Sequence, residues 1–171
     1  TNAYKDACNF ISEYVFNNEF ELNSFKIQKV LYTTIREKFR LKSQITTATF
    51  KTVTARYQTV QTQLFQNPYK YKNENGEVEY TQKTLDWLQK PLFFSRPLVF
   101  SRPQCDLNHG RDYAFLQTGK LSVNTMKNRA LVGFDLPPCF QDYFDGTWKL
   151  GTAKLVELNG DWYLHIPATK E

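Results

Sequence analysis

Seven cations stand between residues 38 and 73 with no acid among them: Lys38, Arg40, Lys42, Lys51, Arg56, Lys70 and Lys72. The flanking stretches are balanced or acidic, −1 over 1–37, −3 over 74–89 and +2 over 90–171, so the basic surplus of the +5 chain lies in this block. Surface lysines normally come mixed with glutamates. A long stretch without acids suits a polyanion, and the plain alternative is a solvated basic face. Within the block, Thr47, Lys51, Thr54, Gln58 and Gln61 recur at spacings of four and three, which is one stripe of a helix. Short hydroxyls, amides and a lysine are the side chains that hydrogen-bond phosphates, sugars and base edges. A solubilising face would carry Glu–Lys pairs instead, and a polar face packed on another domain is the alternative. The repeat Phe94-Ser95-Arg96-Pro97 and Phe100-Ser101-Arg102-Pro103 adds two arginines. Their even offset puts Arg96 and Arg102 on one side of an extended, proline-bounded edge segment.

Other chemistry is sparse. Asp106, His109 and Asp112 share one polar loop and could be imagined as metal ligands, but no second cluster supplies further ligands, and a turn capped by aspartates is the simpler reading. His165 alternates with Leu164 and Ile166 as an ordinary strand residue. Cys8, Cys105 and Cys139 are odd in number and widely spaced, which favours free thiols in a reducing cytoplasm over disulfides or a zinc site. The chain contains no phosphate-cradling glycine loop, no G-x-S-x-G and no clustered carboxylates for catalytic magnesium, so no catalytic centre and no cofactor is expected within it.

The elements that must position these residues read as helices first and strands second. Ala3, Ala7, Phe10, Ile11, Tyr14 and Val15 predict a helix over 2–17. Asn23 or Ser24 caps a second, with Ile27, Val30, Leu31 and Ile35 as its buried stripe. Ser43 caps a third that runs to about Phe65, with Ile45, Thr49, Val53, Val60 and Leu64 inside. A polar connection over 66–89 holds a loose hairpin at Asn75-Gly76, and a short helix over Thr81–Leu88 presents Trp87.

From Lys90 onward prolines, aromatics and short alternating runs mark a β half, with strands at Tyr113–Leu116, Lys120–Asn124 and Ala130–Phe134. Asn159-Gly160 sits between two apolar runs as a two-residue hairpin turn. Short strands without crossover helices predict a small closed or half-open barrel completed by Trp148, Trp162 and Leu164. The fold class expected is thus α+β: a helical lobe over 1–89, then a small antiparallel barrel-like domain over 90–171. No apolar run is long enough to span a bilayer, and no membrane partner is expected.

Several stretches resemble the N-terminal half of TnpB (OrfB) proteins, the RNA-guided endonucleases encoded by insertion sequences. They are ACNFISEYVF at 7–16, LYTTIREKFRLKSQITTATFKTVTARY at 31–57, WLQKP at 87–91, GKLSVNTMK at 119–127 and YFDGTWKLGTAKLVELNGDWYLHIPATKE at 143–171. The resemblance implies a helical recognition lobe and a barrel-like wedge domain that together hold guide RNA and its heteroduplex with target DNA. Protein would read a short target-adjacent motif while base pairing reads the rest. By position, Ser43, Gln44 and Thr47 at the third helix and Gln117 and Thr118 before a wedge strand would contact that motif, with Asn23, Ser24 and Gln28 of the same kind. The basic block, its stripe and the arginine repeat add Lys38, Arg40, Lys42, Lys51, Thr54, Arg56, Gln58, Arg96 and Arg102 as candidate nucleic-acid-binding residues. Two departures are expected. The first wedge strand is missing before the opening helix, and the RuvC-like domain with its magnesium carboxylates and zinc ribbon would follow Glu171. A protein-interaction or regulatory domain using Trp87 or Tyr143 is the competing class, and a metal-dependent hydrolase at His109 the third.

Overall fold

A computed structural model of the chain describes residues 1–66, 69–81 and 96–170. The expected helix with Trp87 and residues 90–95 lie outside the described residues, as do the side chains of Leu64 and Lys70.

Helix α1 spans Asn2–Asn17 and buries Tyr4, Ala7, Cys8, Ile11 and Val15, the three-and-four rhythm of an amphipathic helix. Helix α2 covers Ser24–Phe39, and its cap is Asn23, whose Oδ1 accepts from Phe25 N at 3.1 Å and Lys26 N at 3.3 Å. Its buried row is Ile27, Leu31 and Ile35, every fourth residue. Val30, expected inside, falls beside that row and is 60% exposed. Arg40 closes α2 in the left-handed region, φ 53°, a position that glycine usually takes.

Helix α3 spans Ser43–Gln66. The Lys42 carbonyl accepts its first bond from Thr46 N at 2.8 Å, so Ser43 lies in the first turn and is not the cap the sequence predicted. Because α3 packs on α1, α2 and the strand Gln104–Leu107 at once, its buried arc is wide: Ile45, Thr46, Thr49, Phe50, Val53 and Tyr57 are all enclosed. Helix propensity disfavours so many threonines. Buried here, they bond back to the helix carbonyls, as Thr46 does to Lys42 at 3.0 Å and Thr49 to Thr46 at 2.6 Å.

Strands β1 (Tyr69–Lys72) and β2 (Val78–Thr81) form the expected hairpin around Gly76. After residue 96 come β3 (Gln104–Leu107), β4 (Tyr113–Phe115), β5 (Leu121–Asn124), β6 (Arg129–Val132), a 3-10 helix (Pro138–Phe144), β7 (Trp148–Leu150), β8 (Ala153–Leu158), β9 (Asp161–His165) and β10 (Ala168–Lys170). They form the separate antiparallel sheets β3-β8-β9, β4-β5-β6 and β7-β10.

The architecture is α+β, but the sheets do not close into a barrel. Strands of three to six residues are interrupted at Pro103, Pro137, Pro138 and Pro167, and β3 meets α1 and α3 as well as β8. The Asn159-Gly160 turn is as expected, with φ of 55° and 91° and Leu158 paired to Asp161. Leu164 packs on the core, whereas Trp162 is 52% exposed and closes nothing. One apolar cluster runs from Tyr4, Ile35 and Phe50 to Leu107, Tyr113, Leu121 and Ala153, so helices and strands share a core.

Candidate nucleic-acid interface

The acid-free block does not present one continuous face. Lys38 Nζ sits 4.3 Å from the Phe10 ring centroid, a cation–π contact that holds it against α1. Arg40 lines a surface cavity of about 420 Å³ with Tyr32, Arg36 and Glu37. Lys42 donates to Asn124 Oδ1 at 2.8 Å, which ties the start of α3 to the end of β5. Asn124 in turn donates through Nδ2 to Asp112 Oδ1, and the other oxygen of this buried carboxylate accepts from Asn108 N and Nδ2. Asp112 is therefore the acceptor of a capped turn. Among the described residues no group of His, Cys, Asp and Glu could hold a metal, and His109 packs on the Tyr113 ring.

Two members of the block come together. Lys51 and Arg56 line a cleft of about 520 Å³ between α3 and the β3-β8 face, along with Thr52, Ala55 and Thr59 from the helix and Phe100, Gln104, Asp106 and Lys154 from the other wall. Lys154 stands opposite Asp106 in the β3-β8 ladder, so the two side chains leave the same sheet face. Among the described residues Lys51, Arg56 and Lys154 form no ion pair; the salt bridges are Lys5–Asp6 and Lys26–Glu21.

The floor of this cleft is built from three elements. Asp106 Oδ2 accepts from the Thr52 hydroxyl and, at 3.3 Å, from the Tyr4 hydroxyl, and Tyr4 and Thr52 are themselves 2.6 Å apart. Burial raises the Tyr4 phenol well above its ordinary value, with the Cys8 and Asp106 charges adding to it, so Tyr4 stays a donor. Burial likewise raises the Cys8 thiol, and pushes Cys105 up to about 12. Neither thiol is a thiolate nucleophile at neutral pH.

The remaining predicted residues are dispersed. Thr54 is buried, 5% exposed, with its hydroxyl on the Phe50 carbonyl, which corrects its place on a nucleic-acid-facing stripe. The wide buried arc of α3 claims that edge of the stripe, and the exposed face turns toward Lys51, Ala55, Arg56 and Thr59. Gln58 is exposed but does not line the cleft, and Ser43, Gln44 and Thr47 sit at the first turn with Ser43 outermost. Asn23, Ser24 and Gln28 lie at the opposite end of α2 from Arg40, roughly 22 Å away along the helix. Gln117 and Thr118 form the exposed β4-β5 turn, beyond the end of β5 that is about 10 Å from Asn124, the partner of Lys42. Arg96 and Arg102 are exposed at bends. The expected single extended face is lost because the segment between them docks on α1 instead of joining a ladder.

No protein-family model matches the chain, and no curated protein matches its sequence.

The cleft residues that the sequence reading missed are Thr52, Ala55 and Thr59 of α3 and, on the other wall, Lys154, Gln104 and Phe100. The alternation of Lys154 within its hairpin was visible. Its position across from Asp106 depends on the β3-β8 register, for which the sequence carries no local signal.

Proposed function

We propose that this chain is a nucleic-acid-binding module that holds guide RNA and its heteroduplex with target DNA for an RNA-guided DNA endonuclease acting in the cytoplasm. The observation that carries the proposal is the cleft flanked by Lys51, Arg56 and Lys154, cations without acidic partners among the described residues. Unpaired cations beside threonine hydroxyls match the side chains that bind phosphate and sugar. The resemblance to TnpB proteins supplies the class of nuclease. In this reading the first turn of α3, with Ser43, Gln44 and Thr47, reads the target-adjacent motif, and cleavage belongs to a metal-dependent domain outside this sequence.

The test is filter binding of a structured RNA, an RNA–DNA hybrid and duplex DNA across a salt series. Preference for the first two, with affinity falling steeply as salt rises, supports the proposal. Equal, weak binding to all three defeats it.

A second reading, a protein-interaction domain, is favoured by the apolar surface of the β4-β5-β6 sheet. Leu131 on its edge strand is 61% exposed and Phe140 of the 3-10 helix 50%. Association through that surface would be insensitive to salt and lost on Leu131→Asp.

A further inference from the structure

Asp106 is out of character in the cleft. If the site took only phosphates, a carboxylate on its floor would oppose them. Yet Asp106 shares the cleft with Lys51, Arg56 and Lys154, and among the described residues the side-chain partners of its carboxylate, Thr52 and Tyr4, engage Oδ2. Its Oδ1 has no hydrogen-bond partner among the described residues and is free to accept from a ligand. Gln104, two residues earlier on β3, faces the same way and offers an amide beside it. The walls are close, because the Thr52–Asp106 bond joins helix and strand directly. A double helix, whose major groove alone is about 12 Å wide, can lie along the cationic rim of such a cleft but cannot enter it. An unpaired nucleotide can, and about 520 Å³ is within the usual size of a small-ligand site.

We propose that the cleft seats one unpaired nucleotide of a bound strand, its phosphate among Lys51, Arg56 and Lys154 and its base turned to Asp106 and Gln104. The free carboxylate oxygen selects a base that presents an exocyclic amine. Cytosine is the first expected occupant, since its N4 amine is the usual donor to Asp or Glu. Uracil puts a carbonyl oxygen at the same position and would face the carboxylate with like polarity. This inference rests on the nucleic-acid reading above and adds to it a place, a strand state and a base class.

The test uses fluorescence anisotropy of the full chain with short labelled oligocytidylate and oligouridylate, which differ at the base in that amine against a carbonyl oxygen and in the proton on the adjoining ring nitrogen, and with a structured RNA. The expected result is cytidylate bound about tenfold more tightly than uridylate, as one charge-assisted hydrogen bond allows. Asp106→Asn should erase the difference, and Lys154→Ala, at an exposed position, should weaken both oligomers alike. Equal binding of the two oligomers by the wild-type chain overturns the site, whether or not Asp106→Asn folds. If that happens while structured RNA still binds in a salt-dependent way, the nucleic-acid reading stands and only this site falls. If no RNA binds at all, both fall. Competition by free cytidine monophosphate as effective as by the oligomer would also overturn it, since the occupant would then be a free nucleotide.

Discussion

Thr52 of α3 and Asp106 of β3 are hydrogen-bonded side chain to side chain, 54 residues apart in sequence, at the point where Tyr4 of α1 reaches the same carboxylate oxygen. Three elements meet at one partly buried acceptor. Thr52→Val keeps the shape and removes the donor, leaving the carboxylate with a single weaker partner. We expect a loss of about 1–3 kcal/mol in urea unfolding, the range for losing a hydrogen bond to a charged, partly buried acceptor. Thr59→Val, at an exposed position of the same helix, should cost far less.

Alkaline pH should weaken the fold through groups whose ionised forms the interior rejects. Cys105 is raised from 9.0 to about 12, and Tyr113 from 10.0 to about 12, both by desolvation. Below pH 9 both are protonated in either state and their contribution is intact. Between about 9 and 12 the unfolded chain releases protons that the folded chain keeps, so stability falls as pH rises. Urea midpoints measured across that window should decline, and Cys105→Ala should make the decline shallower.

Tyr57 holds the 97–103 segment against the helices. Its hydroxyl donates to the Ser12 carbonyl at 3.1 Å and accepts from Leu98 N at 3.2 Å. Tyr57→Phe removes both, and we expect faster amide exchange at Leu98 and a loss of about 1–3 kcal/mol. Protection of the β8-β9 hairpin amides should fall only with global stability.

For binding, Lys51→Ala combined with Arg56→Ala should lower the slope of log affinity against log salt by roughly two, one for each phosphate no longer neutralised. Thr54→Val tests the correction made to the predicted stripe. Its hydroxyl is turned into the helix, so RNA affinity should not change, although stability will fall.

Legibility from sequence followed the range of the forces. The helix bounds and the Asn159-Gly160 turn are local events, decided by neighbours within four residues, and were readable, while the α2 cap was narrowed to Asn23 or Ser24. The faces of α3 were not. A two-sided stripe was expected, yet α3 has three neighbours, and the third, β3, was itself missed because Gln104–Leu107 is four residues long and only half apolar. That one omission hid the pairing of Lys154 with Asp106. Barrel closure failed for a related reason. Alternation marks strands but not which strands become partners, and these pair within small sheets.

Asn9 holds Phe100 in the way a neighbouring strand would. Its Oδ1 accepts from Phe100 N at 2.7 Å and its Nδ2 donates to Phe100 O at 3.1 Å, so one side chain satisfies both backbone groups of a residue that belongs to no ladder. An extended segment flanked by the exposed Val99, with open backbone groups, would be a template for another chain to zip onto. With its own groups occupied, Phe100 offers no ladder position to such a chain. Asn9 is in that sense a guard against self-assembly, and Asn9→Ala would be expected to cost solubility before it costs the fold.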